Sequence, residues 1–358
     1  MINLPSLESA SVKNKRVFVR CDFDVPLSEQ STINNQQLTI LDDTRLVSGI
    51  STVEYLLEEG ATVIAAGHLG RPAKQLTNED LKFSLEPIAE WFVEEFPGAS
   101  IKETHIGGFK AWKLKENFYI LENLRFDEGE EKNDPSFSHK LAYISDVYVN
   151  EAFGASHRAH SSIAGVPSLI PHFAGFHLQK EIKILTNIIE NPKKPFTFIV
   201  GGAKIETKLP LISKMHRFAD YVLVGGELAE QNEVLIKEQH GITNDFKAML
   251  LVAELNPNKT DISPMSIENF KQIIMRSSCI VWNGPMGFIE ENHDFGTLEL
   301  ANAILKSSAY KVVGGGDTVA FLNKHGLLSK FDFVSTGGGA MLEFLSGVSL
   351  PGIIALQN

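Results

Sequence analysis

Short apolar runs alternate with amphipathic stretches through the first half of the chain. The apolar runs end in polar or glycine-containing segments, which is the pattern of buried strands followed by loops. The stretches between them place apolar residues at helical spacing, and Ser84 is a candidate N-cap for the second of these. The predicted strands are residues 16–23, 62–70, 118–126 and 147–154, and the predicted helices are residues 44–61 and 84–96.

The second half repeats one pattern five times. Each time, a β-rich run ends at glycines and a helical stretch follows. Strands that alternate with helices in this way predict a parallel, doubly wound sheet. Ligands of such sheets bind beyond the carboxyl ends of the strands, which is where these glycines cluster. The five runs are residues 196–204, 219–228, 279–287, 310–318 and 332–340.

The stretch between the halves, residues 168–195, has the features of a domain connection. Pro167, Pro171 and Gly175 lie before or within its first part, and a long amphipathic helix follows them. A chain of 358 residues is also long for one hydrophobic core. The pattern therefore predicts an α/β protein with two domains.

Composition narrows the class of protein. The chain is 43% hydrophobic and 22% charged, as ordinary globular proteins are, and no apolar run approaches the length of a membrane span. The N-terminus lacks the basic-then-apolar pattern of a signal peptide. Cys21 and Cys279 are far apart without a CxxC motif, which argues against a disulfide scaffold or zinc site and favours a reducing cytoplasm. The net charge of −11 argues against non-specific nucleic-acid binding, so an anionic ligand would need locally concentrated positive groups.

The sequence KVVGGGDTVAF at residues 311–321 places three glycines and Asp317 between a predicted strand and a predicted helix. Backbone N–H groups at such a turn can approach a phosphate closely. A single turn is equally well explained by tight packing, but several along one sheet edge favour an anion site. None has the GxxxxGK[ST] spacing of a Walker A loop, and GGGDTVAF lacks GxGxxG spacing, which disfavours a nicotinamide dehydrogenase. Taken alone, Asp317 is explained as a helix N-cap.

Four loop segments of the first half each carry an arginine. Arginine matches phosphate and carboxylate by bidentate hydrogen bonds. Because each charged hydrogen bond contributes roughly 1.5–3 kcal/mol, a few together would hold a small dianion. The alternative is that each arginine is an ordinary solvated cation and each histidine a loop cap, which for His157 is the favoured interpretation. The arginines are Arg45, Arg71, Arg125 and Arg158, and the histidines are His68, His157 and His160.

Eight motifs resemble those of the phosphoglycerate kinase family, in that family's order: VRCDFDVPL, GHLGRP, ENLRF, FGASHRAHSS, GGAK, WNGPMG, GGGDT and STGGGAMLEFLSG. The likeness runs from about Val17 to the C-terminus. It implies two Rossmann-like domains with parallel sheets in three α/β/α layers, joined by a hinge helix. The implied boundaries are 1–168 for an N-terminal phosphoglycerate-binding domain, 169–192 for the hinge and connecting helix, 193–342 for a C-terminal nucleotide-binding domain and 343–358 for a segment that returns to the N-terminal domain.

The resemblance also implies an activity. Phosphoglycerate kinases transfer a phosphoryl group reversibly and in line between 1,3-bisphosphoglycerate and Mg-ADP, giving 3-phosphoglycerate and ATP in glycolysis and gluconeogenesis. The acceptor in the reverse direction is a carboxyl group, and the cofactor is Mg²⁺. Because the nucleophile is already an anion, no general base and no phosphoenzyme are expected, and catalysis would rest on positioning, charge stabilisation and domain closure. A cytoplasmic monomer without nucleic-acid or membrane partners is implied.

Matched position by position, the family motifs assign roles to residues of this sequence. Arg45 and Lys204 would flank the transferring group, with Lys208 one helical turn beyond Lys204 and also catalytic. Asp317 would contact Mg²⁺, and Glu290 the ribose. The implied phosphoglycerate site is Asp22, Asp24, Arg45, His68, Arg71, Arg125 and Arg158. The implied nucleotide site is Gly202, Lys204, Lys208, Gly225, Asn283, Glu290, Gly314, Gly315, Gly316, Asp317, Thr318, Gly337 and Gly338.

Five features depart from the family pattern. Asp24 and Thr207 stand where the family usually has Asn and Asp, Glu227 replaces a small residue near the expected adenine pocket, and Ser263 replaces a glycine. Residues 241–261 look shortened, with a strand and a helix reduced. Most departures fall on the base-binding side and leave two alternatives. One is a homologue that binds ligands but has weakened catalysis, and the other is a different enzyme on a similar scaffold, such as a dehydrogenase, which the arginine loops oppose.

Overall fold

Two units make up the chain, Met1–Lys183 with Ser349–Asn358, and Ile184–Val348. The computed structural model describes residues 2–32, 35–73, 78–202, 208, 211–212, 214–231 and 248–357. Each unit is built on one main sheet, with seven strands in the first and six in the second. The C-terminal segment belongs to the first unit, although the second unit precedes it in the chain.

The sheet of the first unit has a parallel centre and an antiparallel edge. The strands of this unit are β1 Arg16–Arg20, β2 Leu27–Thr32, β3 Asn35–Ile40, β4 Thr62–Ala66, β5 Lys102–Ile106, β6 Phe109–Lys115, β7 Phe118–Leu121, β8 Val147–Asn150 and β9 His172–Ala174. The sheet order is β5-β6-β7-β4-β1-β8-β9. Pairing is parallel from β7 through β9, while β6 pairs antiparallel with both β5 and β7. Strands β2 and β3 form a separate antiparallel hairpin.

The sheet of the second unit is parallel throughout. Its strands are β10 Phe196–Val200, β11 Tyr221–Val224, β12 Met249–Val252, β13 Cys279–Asn283, β14 Tyr310–Gly314 and β15 Phe333–Ser335. They lie in the order β12-β11-β10-β13-β14-β15. The order reverses at β10, as it does at β1 in the first sheet. In doubly wound sheets, ligands bind outside the carboxyl ends of the strands at this reversal.

Helices alternate with the strands in both units. The α-helices whose bounds fall within the described residues are α1 Thr44–Glu58, α2 Glu86–Glu95, α3 Glu128–Lys132, α4 Pro135–Tyr143, α5 Phe176–Glu190, α6 Pro264–Ile274, α7 Phe295–Lys306, α8 Gly316–Lys324, α9 Gly338–Ser346 and α10 Pro351–Ile354. Single 3-10 turns or short 3-10 helices lie at Leu7–Ser9, Asn78–Phe83, Leu124–Phe126, Phe153–Ala155, Val166–Ser168, Gly226–Gln231, Ile289–Glu291 and Leu328–Lys330, and a π-helical turn lies at Ser161–Gly165. Within the described ranges, no helix has both the length and the apolarity needed to cross a membrane.

Central strands are buried on both faces because helices cover both sides of a parallel sheet. Every residue of β8, β10 and β13 is buried. In the first unit, Phe92 of α2 packs its ring edge-on against Phe118 of β7, with ring centroids 5.7 Å apart. In the second, the indole of Trp282 is buried and donates to the carbonyl of Gly284 (2.8 Å). Each unit therefore has its own hydrophobic core.

The strands and helices predicted from the apolar pattern are present, with narrower bounds. All five glycine-terminated runs of the second half contain a strand of the parallel sheet, which confirms that prediction. The N-cap prediction for Ser84 is wrong by one residue, because Leu85 occupies the cap position of α2 while the Ser84 hydroxyl accepts from the N–H of Glu86 (3.3 Å). The polar strands β5 and β6 and the β2–β3 hairpin were not predicted. Strand β12 lies within residues 241–261, where reduced structure was expected, so the sheet has a strand there.

Two buried side chains of the first unit hold the first turn of α5. Glu151, which follows β8, accepts from the N–H groups of His177 (3.0 Å) and Leu178 (3.1 Å). Thr52 of α1 donates its hydroxyl to Glu151 (2.6 Å) and accepts from the N–H of Phe176 (2.9 Å). These acceptors satisfy N–H groups that have no partner within the helix, and a negative group is favourable at a helix N-terminus.

The Thr52 hydroxyl can be tested by replacing Thr52 with Val, which keeps the side-chain shape. Both hydrogen bonds are lost, which leaves the N–H of Phe176 without its acceptor and Glu151 with one donor fewer, so we expect the free energy of unfolding to fall by about 2 kcal/mol. Urea unfolding, together with hydrogen exchange of the Phe176 amide, measures the effect. Ser51, exposed on the same helix, provides the matched control Ser51→Ala. Equal losses in the two variants would contradict this role for Thr52.

Candidate active site

Charged side chains gather at the carboxyl ends of the parallel strands of the first unit. Arg20, the last residue of β1, pairs in register with Ala66 of β4 and Asn150 of β8, so the loops after these strands begin at the same edge. The charged residues and histidines at this edge are Arg20, Asp22, Asp24, Arg45, His68, Arg125, Arg158 and His160. They form the charged edge of the first unit.

Arg45, in the first turn of α1, lies between two carboxylates. Its Nη1 donates to the backbone carbonyl of Asp24 (2.6 Å). The same nitrogen lies 3.6 Å from Oδ1 of Asp22 and 3.8 Å from Oδ2 of Asp24. The negative charge of the buried Asp22 raises the pKa of Arg45 more than any other factor. The guanidinium is therefore held in place by its neighbours while part of it stays exposed.

Asp24 bridges two loops of the charged edge. Its Oδ1 accepts from the N–H of Gly70 (2.9 Å), and its Oδ2 lies 3.7 Å from Nε2 of His68. Gly70 has a φ of +61°, and an added Cβ would lie 2.3 Å from the ring of Phe83, so a glycine is required for this approach. An amide oxygen could accept the same hydrogen bond, so charge is what distinguishes Asp24 from an asparagine at this position.

His68 is buried and neutral. Burial lowers the pKa of its imidazole well below the ordinary value, and the nearby positive charges act in the same direction. Those charges belong to Arg20, Arg125 and Arg158. Burial, and after it the same three charges, lower the pKa of the neighbouring His160 to about 3. Three guanidinium groups thus act on both imidazoles. A neutral imidazole keeps one N–H donor, which suits an anionic ligand.

Arg125 offers an unpaired donor at this edge. Its Nη1 donates to the carbonyl of Gly70 (2.6 Å), and its Nε lies 3.0 Å from Oε1 of Glu131. The buried Nη2 has no hydrogen-bond partner among the described residues. Burial lowers the pKa of Arg125, although a guanidinium remains protonated. Arg158 is half-buried and donates from Nε to Nε2 of His157 (3.1 Å). A buried donor without a partner points to a missing acceptor.

Six of the seven residues predicted for the phosphoglycerate site lie at the charged edge. The seventh, Arg71, is exposed in the loop after β4 and makes no hydrogen bond to the others within the described part of the chain. Arg20 and Glu130, both fully buried near this edge, were not predicted. A charged residue inside the apolar run 16–23 was an available signal for Arg20. Nothing in the sequence pattern singles out Glu130.

Most glycine turns of the second unit are explained by close packing of the turns on one another. A Cβ on Gly201 would lie 2.0 Å from the carbonyl oxygen of Pro285, and one on Gly284 would lie 2.2 Å from the carbonyl oxygen of Gly201. A Cβ on Gly226 would lie 2.6 Å from the backbone nitrogen of Gly202. Neighbouring backbone, not a ligand, therefore requires these glycines.

Two helix N-termini form a different kind of glycine site. An added Cβ on Gly316, in α8, or on Gly339, in α9, meets no atom within 4 Å, and both residues are exposed. A Cβ on Gly338 would lie 2.8 Å from the Cα of Gly315, so the two helices begin side by side. Unpaired N–H groups and the positive ends of two helix dipoles thus meet at one place, which suits a phosphate.

The residues beside these N-termini include a second unpaired donor. Asn283 at the end of β13 is buried, and its side-chain nitrogen has no hydrogen-bond partner among the described residues. The hydroxyl of Thr318 accepts from the N–H of Gly284 (3.0 Å) and fastens α8 to this turn. The N-cap interpretation of Asp317 is wrong, because Gly315, with a φ of +99°, occupies the cap position.

Asp317 is placed to meet a metal that accompanies phosphates. Its carboxylate is exposed in the first turn of α8 and makes no hydrogen bond or ion pair with a described residue. Mg²⁺ is commonly held by one or two carboxylates together with waters and substrate phosphates. Over the described ranges, no three metal-binding side chains cluster together. The residues present fit a metal that shares its ligands with a nucleotide.

The remaining predicted nucleotide residues have varied positions. Lys208 is buried, and its Nζ donates to the carbonyl of Gly201. Lys204 and Thr207 lie outside the described residues, so the shared helix face of the two lysines stays a prediction. Glu290 is exposed in the short helix Ile289–Glu291.

Other predicted positions serve local structure. Gly225 and Gly314 face methionine sulfurs, at 2.5 Å and 2.7 Å from an added Cβ, and Gly337 is the cap residue of α9. Ser263 is the N-cap of α6, with its hydroxyl accepting from the N–H of Ser266 (3.2 Å). Glu227 is exposed.

The first unit has arginines and an unpaired donor at the carboxyl ends of its strands. The second unit has two neighbouring helix N-termini and an exposed carboxylate at the carboxyl ends of its strands. Together these features are typical of two-domain α/β phosphotransferases. The chain belongs to the phosphoglycerate kinase family. The family model described as phosphoglycerate kinase matches residues 7–247 and 231–348. The match is thus in two pieces, and it breaks near the stretch that looked shortened in the sequence.

Individual relatives agree with the family match. A phosphoglycerate kinase of Finegoldia magna is 37% identical over 407 aligned positions that cover all of both chains, and one of Leptospira biflexa is 37% identical over 99% of this chain and 98% of its own. The structure of phosphoglycerate kinase from Coxiella burnetii has a TM-score of 0.80 at 31% identity, covering 99% of each chain. That from Pyrococcus horikoshii has a TM-score of 0.81 at 30% identity, covering 99% of this chain and 98% of its own.

The two kinds of glycine can be told apart by substitution with alanine. Gly201→Ala drives a methyl group into backbone, and we expect it to lower the free energy of unfolding by about 3 kcal/mol. Gly316→Ala places the methyl group in open space in a helix, so stability should stay within about 1 kcal/mol of the wild type. Thermal unfolding of the two variants gives the comparison. A similar loss in both would show that Gly316 is also required for packing.

Proposed function

We propose that this chain transfers a phosphoryl group, reversibly and in line, from the acyl phosphate of 1,3-bisphosphoglycerate to ADP, forming 3-phosphoglycerate and ATP. In the reverse direction the acceptor is a carboxyl group. The observation that carries the proposal is the charged edge of the first unit, where three arginines and a neutral histidine converge in a member of the phosphoglycerate kinase family.

The charged edge suits a ligand with two anionic ends, such as phosphoglycerate. The chain as a whole carries a net charge of −11, so the positive potential here is local. Arg45 has an exposed part and Arg125 an unpaired buried nitrogen, and each charged hydrogen bond to a ligand contributes roughly 1.5–3 kcal/mol. Asp22 and Asp24 hold Arg45 between their carboxylates, and their own assignment to the phosphoglycerate site rests on family likeness. Arg71 is assigned to this site on family likeness, and its exposure leaves it available.

The second unit is assigned to the nucleotide. The N-termini of α8 and α9 would receive phosphate oxygens, and the unpaired amide nitrogen of Asn283 would donate to them. Asp317 would hold Mg²⁺. The hydrogen bond from Nζ of Lys208 to the carbonyl of Gly201 places this lysine at the turn after β10. The roles of Lys204 and Glu290 are proposed on family likeness.

The proposed reaction requires no covalent bond between the protein and the phosphoryl group. The attacking group is an anion in both directions, so no side chain has to remove a proton. The transition state spreads charge over the equatorial phosphoryl oxygens, and the chain supplies guanidinium groups and backbone N–H donors that are already oriented before reaction. Mg²⁺, when bound, neutralises phosphate charge. Because direct transfer requires the two substrates to meet without a phosphoenzyme, we propose that domain closure precedes it.

The proposal is tested by ATP-dependent phosphorylation of 3-phosphoglycerate, coupled to reduction of the product. Arg45→Ala removes a donor at the transferring group and should lower kcat/KM by about 100-fold. The matched control is Arg16→Ala, which breaks an exposed ion pair with Asp146 (2.7 Å) at the opposite end of β1 and should keep full activity. A folded wild-type protein that binds 3-phosphoglycerate without turnover, with ATP or GTP, would instead identify a ligand-binding homologue.

Asp24→Asn tests the charge at the position where the family usually has Asn. The asparagine oxygen keeps the hydrogen bond from Gly70 while one negative charge beside the anion is removed. We expect 3-phosphoglycerate to bind about fivefold more tightly, since an interaction between solvent-exposed charges contributes up to about 1 kcal/mol. Calorimetric titration measures the dissociation constant. Weaker binding would show that the Asp24 carboxylate accepts a hydrogen bond from the substrate hydroxyl.

Family likeness is also the support for two further proposals, that the chain acts as a monomer and that it acts in the cytoplasm. Light scattering on the purified protein tests the first, and fractionation of cells tests the second.

A further inference from the structure

Arg20 is a fully buried guanidinium that makes only internal hydrogen bonds. Its Nε donates to Oγ of Ser162 (2.8 Å), its Nη1 donates to the carbonyl of Cys21, and its Nη2 lies 2.8 Å from Nδ1 of His68. A side chain without exposed surface cannot meet a ligand directly. Its effect on a ligand has to pass through a neighbour, and His68 is the neighbour at the charged edge.

The contact with Arg20 fixes the tautomer of His68. A guanidinium has donors and no acceptor, so Nδ1 of the imidazole must be the acceptor and carries no proton. The proton of the neutral ring is then on Nε2. That nitrogen lies 3.7 Å from Oδ2 of Asp24, on the side of the ring that faces the charged edge. Burial, together with the surrounding charges of Arg20, Arg125 and Arg158, lowers the pKa of the ring and keeps it neutral.

Glu130 completes the chain of hydrogen bonds behind Arg20. The carboxylate is fully buried and accepts from both the N–H (2.9 Å) and the hydroxyl (2.5 Å) of Ser162. Since the single hydroxyl proton of Ser162 goes to Glu130, its oxygen is free to accept from Nε of Arg20. The hydrogen bonds therefore have fixed directions: Ser162 donates to Glu130, and Arg20 donates to both Ser162 and His68. The negative charge of Glu130 lies on the far side of Ser162 from the positive charge of Arg20.

We propose that Glu130 and Arg20 are positioning residues: Glu130 acts through Ser162 on Arg20, and Arg20 in direct contact holds His68 with its proton on Nε2, as a neutral donor aimed at the anionic substrate. The identity of that substrate rests on the proposed function, whereas the tautomer does not. A purely structural role, in which Glu130 only neutralises buried charge, would leave the His68 tautomer unaffected by the loss of that charge.

The tautomer is measured by ring-nitrogen NMR of the ¹⁵N-histidine-labelled protein without ligand. The chain has 11 histidines, and the His68 signals are those missing from His68→Gln. In the wild type we expect Nδ1 at the position of an unprotonated nitrogen and Nε2 at that of a protonated one. In Glu130→Gln, Ser162 loses one of its two carboxylate acceptors and no longer holds Nε of Arg20 in place, so the contact of Arg20 with Nδ1 should weaken and both signals should move towards the values of a tautomer mixture. Glu128→Gln, an exposed change on the same helix, should leave both unchanged.

Binding of 3-phosphoglycerate gives the second readout. Glu130→Gln should raise its dissociation constant about tenfold, the effect of one weakened hydrogen bond to a charged ligand, and leave that of Mg-ADP unchanged. His68→Gln keeps a donor near the position of Nε2, but a glutamine side chain has no tautomers between which Arg20 could select. The double variant Glu130→Gln, His68→Gln should therefore bind as His68→Gln does.

Several results would overturn the positioning role. They are a protonated Nδ1 in the wild type, an unchanged tautomer in Glu130→Gln, or losses that add in the double variant. If Glu130→Gln fails to fold, Ser162→Ala cuts the same chain of hydrogen bonds and replaces it. Absence of turnover in the wild type would overturn the proposed function alone, because the tautomer is read without substrate.

Discussion

A positive charge without solvent contact at the end of a central strand is the constraint on which the first unit depends. Removing an ion from water costs several kcal/mol unless oriented partners replace the water. Arg20 has such partners on three sides: Ser162, His68 and the carbonyl of Cys21. Glu130 supplies the opposite charge behind Ser162. These groups come from four segments: β1, the loop after β4, α3 and the turn Ser161–Gly165. The hydrogen bonds that the Arg20 guanidinium requires therefore fix the relative positions of segments that form the charged edge.

In the second unit, most glycines of the turns serve packing, and only a few lie at the candidate phosphate site. Three of its turns, after β10, β11 and β13, lie so close that backbone occupies the places where Cβ atoms would be. Helices α8 and α9 begin side by side, and there Gly316 and Gly339 face open space instead of backbone. A glycine-rich sheet edge is therefore no direct measure of a phosphate site. The informative glycines are those whose missing Cβ leaves accessible room next to unpaired N–H groups.

The apolar pattern was sufficient to predict the parallel strands, because strands buried on both faces produce continuous apolar runs. It was insufficient for β5, whose burial is partial and whose sequence, KETHI, is polar. At the site, the arginines were recognisable as a set of loop cations. Contacts between distant segments decide which arginine is oriented by carboxylates, as Arg45 is, which keeps one nitrogen unpaired, as Arg125 does, and which is buried, as Arg20 is. Local sequence does not encode those contacts. Glu130 is the clearest example, since its partner Ser162 lies 32 residues away.

The two units offer an anion different chemistry, and each suits its proposed ligand. Guanidinium groups at the charged edge repel one another: the nearby charges of Arg158 and Arg20 contribute to lowering the pKa of Arg125. An anion that enters relieves this repulsion, so the unliganded edge is already arranged for negative charge and gains most from a ligand with two anionic groups. Backbone N–H groups at the helix N-termini have no net charge and hold a phosphate without such repulsion. These donors, with the exposed carboxylate of Asp317 on α8 beside them, therefore suit a nucleotide that brings its own cation.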